Sequence, residues 1–227
     1  MDKLVELKNV KAFHRKNQIL NGVDISISKG EFVYLIGKTG SGKSSVLKVL
    51  YKEMEIAEGD GEVVGLNLKK LKYSQVHKLR RQLGVVFQDF QLLPDRSIED
   101  NLVFVMQSTG WKDKKAMTNH AKVTLEQLNL PDIGDKFPHQ LSGGQQQKVA
   151  IARAMINSPK VILADEPTGN LDPESSNEIM NLLSIISKGG TAIIMATHDM
   201  DLVKKYPGRV MKCENGLISE IENSVYE

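Results

Sequence analysis

Cysteine, tryptophan and long apolar runs are all scarce in this sequence. The single cysteine, Cys213 of 227 residues, excludes an intramolecular disulfide and any Cys-rich zinc module. Packing is the reading for its side chain, and a reducing compartment suits the chain. No stretch approaches the roughly 18 apolar residues needed to span a bilayer. The start, MDKLVELKNV, alternates as a strand does instead of presenting a charged head and an apolar signal core. The expectation is a cytoplasmic protein, peripheral on the inner face of the membrane only through a partner. A dominant charge is missing too: 30 basic against 28 acidic side chains leave a net +2. That is far from the basic excess of a dedicated nucleic-acid binder, so no nucleic acid is expected as a partner. The basic runs Lys69-Lys70-Leu71-Lys72 and His77-Lys78-Leu79-Arg80-Arg81 read as solvated helix faces. His14, His77, His120 and His139 lack metal-ligand spacing and read as surface residues. What is present is 41% hydrophobic content, enough for a full core in one domain or one domain with an insert.

Hydrophobic periodicity divides the chain. LVELKNV and GVDISIS alternate at period two, and the buried run FVYLI follows the turn Lys29-Gly30-Glu31. SSVLKVLYKEM has helical spacing at Val46, Leu47, Leu50 and Met54. GEVVGLNL reads as a short strand, KYSQVHKLRRQL as a helix and GVVFQ as a buried strand. Between Phe90 and Gln140 helical segments dominate, SIEDNLVFVMQS and KAMTNHAKVTLEQLNL. Then KVAIARAMI, KVILAD, SSNEIMNLLSIIS and TAIIMAT restore βα alternation, and Asn215-Gly216 marks a closing hairpin. This organisation predicts one α/β domain, with residues 1–88 and 149–227 as the core and 89–148 as an inserted helical subdomain.

The chemistry concentrates in three stretches. Gly37-Lys38-Thr39-Gly40-Ser41-Gly42-Lys43-Ser44 fits the P-loop pattern between a strand and a helix. Its glycines let backbone N–H groups turn around a phosphate chain, and the helix start adds its positive dipole end. Lys43 is expected to reach the β- and γ-phosphates and Ser44 to ligate Mg2+, with Ser45 counted among the nucleotide-binding residues. VILADE ends a buried strand in two acids: Asp165 for the Mg2+ shell, and Glu166, pointing the other way, to polarise a water for in-line attack. Hydrolysis is thereby favoured over transfer. In LSGGQQQKV, Ser142, Gly143, Gly144 and Gln145 precede a helix and build a second anion-binding N-terminus.

Two phosphate-binding devices in one chain resemble the ATP-binding cassette family, whose signature is LSGGQ. The resemblance implies a P-loop NTPase core of ABC type with an N-terminal antiparallel β subdomain and an inserted helical subdomain. It also implies a homodimer in which the signature closes on the nucleotide held by the other subunit's P-loop. Gln88 matches the Q-loop glutamine that senses Mg2+ and the attacking water. Gly169-Asn170-Leu171-Asp172 matches the D-loop, His198 the switch histidine that contacts the γ-phosphate, and Phe13 the aromatic that stacks on adenine. Lys148 stands where many relatives have arginine, which concerns at most a surface contact.

The stretch VVFQDFQLLPDRSIEDNL resembles the cell-division branch of that family, and LADEPTGNLD the wider group that includes lipoprotein-release and macrolide-export ATPases. The first resemblance implies an FtsX-like integral membrane partner and coupling to cell-wall hydrolysis. The second implies an export permease instead. A soluble cassette acting on DNA is the third reading, and the insert lacks the heptads or cysteine cluster that it would carry. Phe90, Leu92, Leu93, Phe104 and Met106 serve either as contacts for the membrane partner or as core.

Overall fold

A computed structural model describes residues 3–221. Two long strands, β1 (Lys3–His14) and β2 (Asn17–Ser28), form an antiparallel hairpin. Val5 and Leu7 face inward, and so do Val10 and Ala12, because Asn9 adopts a left-handed φ of 48° at a register shift that resets the alternation. With β4 (Glu58–Val63) and the short β5 (Leu66–Asn67) the hairpin makes a four-stranded sheet of order β2-β1-β4-β5.

The second sheet has six strands, ordered β10-β9-β3-β8-β7-β6. They are β3 (Phe32–Ile36), β6 (Leu83–Phe87), β7 (Val161–Asp165), β8 (Ala192–Thr197), β9 (Arg209–Glu214) and β10 (Leu217–Ile221). All pairings except β9–β10 are parallel. The central strands β3, β7 and β8 are buried along nearly their whole length, so they read as continuous apolar runs. Val33 and Leu35 join a core cluster shared with α1 (Lys43–Leu50) and the antiparallel sheet. Phe32, Tyr34 and Ile36 face the opposite cluster, with α6 (Pro173–Lys188) and α7 (Met200–Lys205).

A third cluster belongs to the helices. α3 (Ile98–Ser108) contributes Ile98, Leu102 and Met106, α4 (Lys114–Gln127) contributes Met117, Ala121 and Leu125, and α5 (Gly143–Met155) contributes Val149 and Ala152. The short α2 (Val76–Arg80) packs beside β6. Helix α5 runs without a break across the expected boundary between residues 148 and 149, so one helix spans both regions. It sits directly on β6: a Cβ on Gly84 would lie 2.7 Å from the Ala154 carbonyl oxygen.

Several local expectations differ from the structure. The helix after the P-loop ends at Leu50, short of Met54, and Lys52 turns the chain with a φ of 59°. GEVVGLNL is two strands around a tight turn at Val64 and Gly65, with φ of 48° and 80°. KYSQVHKLRRQL holds only one short α-helix preceded by a 3-10 turn. Arg80 is no mere solvated face, because its Nε donates to the Tyr51 carbonyl at 3.1 Å. His120 is tied down through Nε2 to the Ile156 carbonyl at 3.0 Å and stacks on Trp111. Lys148 forms an ion pair with Glu178 at 2.8 Å, linking α5 to α6. Asn215 and Gly216 do close the β9–β10 hairpin with positive φ of 52° and 75°.

Candidate functional site

Parallel register assembles the site. Ile36 pairs with Thr197, Asp165 with Ala196 and Phe87 with Asp165, so the carboxyl ends of four neighbouring strands finish at one edge. From that edge emerge, in spatial order, the P-loop, His198, the Asp165-Glu166 pair and Gln88. Ligands of open parallel sheets sit at such an edge.

The P-loop is shaped by glycine. A Cβ on Gly37 would lie 2.3 Å from the Cys213 carbonyl oxygen, and Gly42, the N-cap of α1, has a φ of 109°. Lys43 is 5% exposed, and its Nζ donates to the carbonyls of Gly37 and Lys38 at 2.7 and 3.2 Å. Two neutral carbonyls leave the charge of this buried ammonium for an anion to complete. Ser41 Oγ is buried with no hydrogen-bond partner among the described residues. Lys38, Thr39, Gly40 and Ser41 line a cavity of 640 Å3 with His198, Lys212 and Asn215. Ser45 lies beside them in the first turn of α1. Phe13, 41% exposed, pairs with Gln18 near the tip of the β1–β2 hairpin, whose Leu20 and Ile19 approach Gly42 and Gly216.

Ser44 Oγ donates to Asp165 Oδ1 at 3.1 Å, which puts a hydroxyl and a carboxylate side by side. Burial pushes the Asp165 carboxyl above its ordinary pKa, opposed by the Ser44 bond. A hard divalent cation is the species that hard oxygen donors of this kind hold, and it would offset the cost of burying the carboxylate. The donor set therefore fits Mg2+.

Glu166 departs from strand geometry. It has a φ of 48°, and its N–H donates to the Ala196 carbonyl at 2.9 Å, so a left-handed turn, not strand alternation, aims its side chain. Glu166 Oε2 lies 2.8 Å from His198 Nδ1. His198 lines both the P-loop cavity and an adjoining 410 Å3 cavity lined by Glu166, Thr168 and Asp199. The arrangement holds a carboxylate and an imidazole together beside an anion cradle and a hydroxyl-carboxylate pair.

The other expected residues lie beyond this cluster. Gln88 does not bond Ser44 or Asp165; its Nε2 donates to Asn170 Oδ1 at 3.2 Å, and Asn170 Nδ2 returns a bond to the Gln88 carbonyl at 3.1 Å. Gly169 leaves room for this, since a Cβ there would lie 2.9 Å from Gln88 Nε2. Ser142 caps α5 through a box with Gln145, at 3.3 and 3.0 Å. Gly143 faces Leu171 and Gly144 faces Ser175, so the turn that opens α5 rests against Leu171 and the first turn of α6. Asp172 caps α6, holding Ser175 through N–H and Oγ, and these bonds keep its carboxyl below the usual range.

Sequence reading missed two side chains that bear on this site, Gln147 and Arg153. Gln147 is wholly buried, and its Nε2 donates to Pro167 O at 2.5 Å and to Phe87 O at 3.4 Å. Arg153 bonds the carbonyls of Phe90 and Gln91. Both act on carbonyls distant in sequence, which no local pattern marks.

Known proteins resemble this chain over most of its length. The family model described as "ABC transporter" matches residues 20–169. The cell division ATP-binding protein FtsE of Streptococcus pneumoniae is 42% identical over 97% of this chain and 96% of its own. The glutamine transport ATP-binding protein GlnQ of Escherichia coli is 35% identical over 97% and 91%. The ATP-binding cassette MJ0796, solved as a dimer in a post-hydrolysis state with ADP and Pi, superposes with a TM-score of 0.86 at 32% identity, covering 96% of this chain and 98% of that one. With these likenesses over most of its length, the chain belongs to the ABC transporter family and is an FtsE-like ATP-binding subunit with ATPase activity.

Proposed function

We propose that the protein is the ATP-hydrolysing motor of a membrane complex, acting as a homodimer with two ATP molecules at its interface. The observation that carries the hydrolytic reading is the 2.8 Å contact between Glu166 and His198 beside the Ser44-Asp165 pair. The P-loop N–H groups and Lys43 hold the triphosphate. Ser44 and Asp165 hold Mg2+, which when bound neutralises charge on the phosphates. Glu166 accepts the proton of the attacking water, and His198 keeps that carboxylate oriented from the neighbouring strand end. Phe13 offers a π-face to adenine. Ser142 and Gly144 close on the triphosphate held by the other protomer. Gln88 reports its state to the groove beside β6.

That groove, of 600 Å3, is the proposed seat of the membrane partner. Leu93 and Phe104 line it, and the Arg96 guanidinium lies 4.4 Å from the Phe104 ring. Met106 is fully buried in the helical core, so it belongs to packing and leaves the contact role to its neighbours. No helix among the described residues is long and apolar enough to cross a membrane, in keeping with a peripheral subunit on the cytoplasmic face.

The FtsE likeness over nearly the whole chain supports an FtsX-like permease as the partner, with ATP-driven movement transmitted to cell-wall hydrolysis. The GlnQ likeness favours a second reading, the ATPase of a transport permease. Trapping Glu166→Gln protein with ATP in its native cell, extracting in mild detergent and identifying the co-purifying membrane protein separates the two. An FtsX-like protein supports the division role. A transport permease overturns it and leaves the ATPase in place.

A further inference from the structure

The segment after β6 carries two adjacent residues in left-handed backbone conformations, Phe90 with a φ of 60° and Gln91 with a φ of 47°. Neither is glycine, so the surroundings must hold the strained pair in place. The holder is Arg153 on α5. Its Nη2 donates to the Phe90 carbonyl at 2.9 Å and its Nη1 to the Gln91 carbonyl. Burial lowers the Arg153 pKa, with Asp89 acting against that shift. The guanidinium reaches carbonyls 62 and 63 residues away from a rod seated on β6 through Gly84. Upstream of the strained pair, Gln147 of the same helix donates to the Phe87 carbonyl. Gln88 therefore stands between two points fixed by α5, and its side chain meets Asn170.

We propose that Arg153 is a positioning residue for hydrolysis, holding the Phe90–Gln91 backbone so that Gln88, whose amide rests on Asn170, stays at the strand end beside Asp165. Arg153 and Gln91 also line the groove assigned to the membrane partner.

This inference rests on the reading of Gln88 as a hydrolytic residue, and the experiment keeps the two separate. Wild type, Gln88→Ala, Arg153→Lys and the double variant are compared by steady-state ATPase kinetics and by hydrogen exchange of the peptide spanning residues 87–93. Arg153→Lys retains the charge but offers one donor centre in place of a two-pronged fork. The expected result is a kcat lowered at least tenfold with KM within twofold, faster exchange confined to that peptide, and no further loss when Arg153→Lys is added to Gln88→Ala. Arg153→Met, used only where it folds with an unchanged far-ultraviolet spectrum, is expected to show the same split more strongly. Losses that multiply in the double variant, or exchange that rises throughout α5 and β6, overturn the positioning role while leaving Gln88 in place. A Gln88→Ala protein with wild-type kcat overturns both.

Discussion

Replacing Asn101 with alanine tests how the helical region is fastened to the loop that follows β6. Asn101 lies in α3, is 1% exposed, and works as a buried staple. Leu93 N–H donates to its Oδ1 at 2.8 Å, and its Nδ2 donates to the carbonyls of Leu93 and Ser97 at 3.1 and 2.9 Å, with a longer approach to Arg96 at 3.4 Å. Counting the three short bonds at about 1 kcal/mol each gives a loss of about 3 kcal/mol. For a chain of this size that corresponds to a fall in Tm of roughly 6–12 °C. The assay is thermal unfolding by circular dichroism without nucleotide, because bound ligand would itself raise Tm. Asn101→Asp adds a check of sign. An aspartate there can accept from Leu93 but must bury a charge facing two carbonyls, so its folded-state pKa rises above the unfolded value. The folded state then binds more protons, and the variant should approach wild-type stability at low pH and lose it as pH rises through the folded pKa. A Tm fall below about 2 °C for Asn101→Ala, or an Asn101→Asp deficit that grows on acidification, would refute the staple.

Lys43→Ala should abolish fluorescent-nucleotide binding, since the buried ammonium is the charge in the cradle. Mixing Lys43→Ala with Ser142→Arg chains, each inactive alone, should restore ATPase activity, because the mixed dimer keeps one composite site free of both changes; silence in the mixture would argue against action in trans. The Cys213 thiol, buried and pushed up to about 11, should resist iodoacetamide at neutral pH in the folded protein and react readily in urea. Its thiolate fraction is roughly 300-fold below that of a free thiol with a pKa of about 8.5.

Much of the site was legible because its chemistry is local in sequence. The P-loop, the strand ending in Asp165-Glu166 and the cap at Ser142 each need neighbouring residues of fixed type, and hydrophobic periodicity put the right element beside each one. Elements failed where one residue adopts a backbone conformation that its type rarely takes. Val64 is β-branched and gives no sign of a turn, Lys52 stops a helix whose apolar spacing continues, and Glu166 faces its partner through a left-handed turn that strand alternation does not foresee. Contacts failed where a side chain serves backbone outside its own helix. Asn101 sits within an apolar helical pattern with nothing to mark its bonds to Leu93, and Arg153 reaches back more than sixty residues. Both depend on how α3 and α5 pack, which sequence spacing within either helix does not encode.

The most direct test of the account is the hydrolysis rate of Glu166→Gln measured beside its ATP affinity. Glu166 as general base predicts unchanged nucleotide binding, a kcat lowered on the order of 10²–10⁴-fold, and ATP retained in a long-lived dimer. Hydrolysis at the wild-type rate would contradict the assignment and leave the Glu166–His198 pair without its catalytic role.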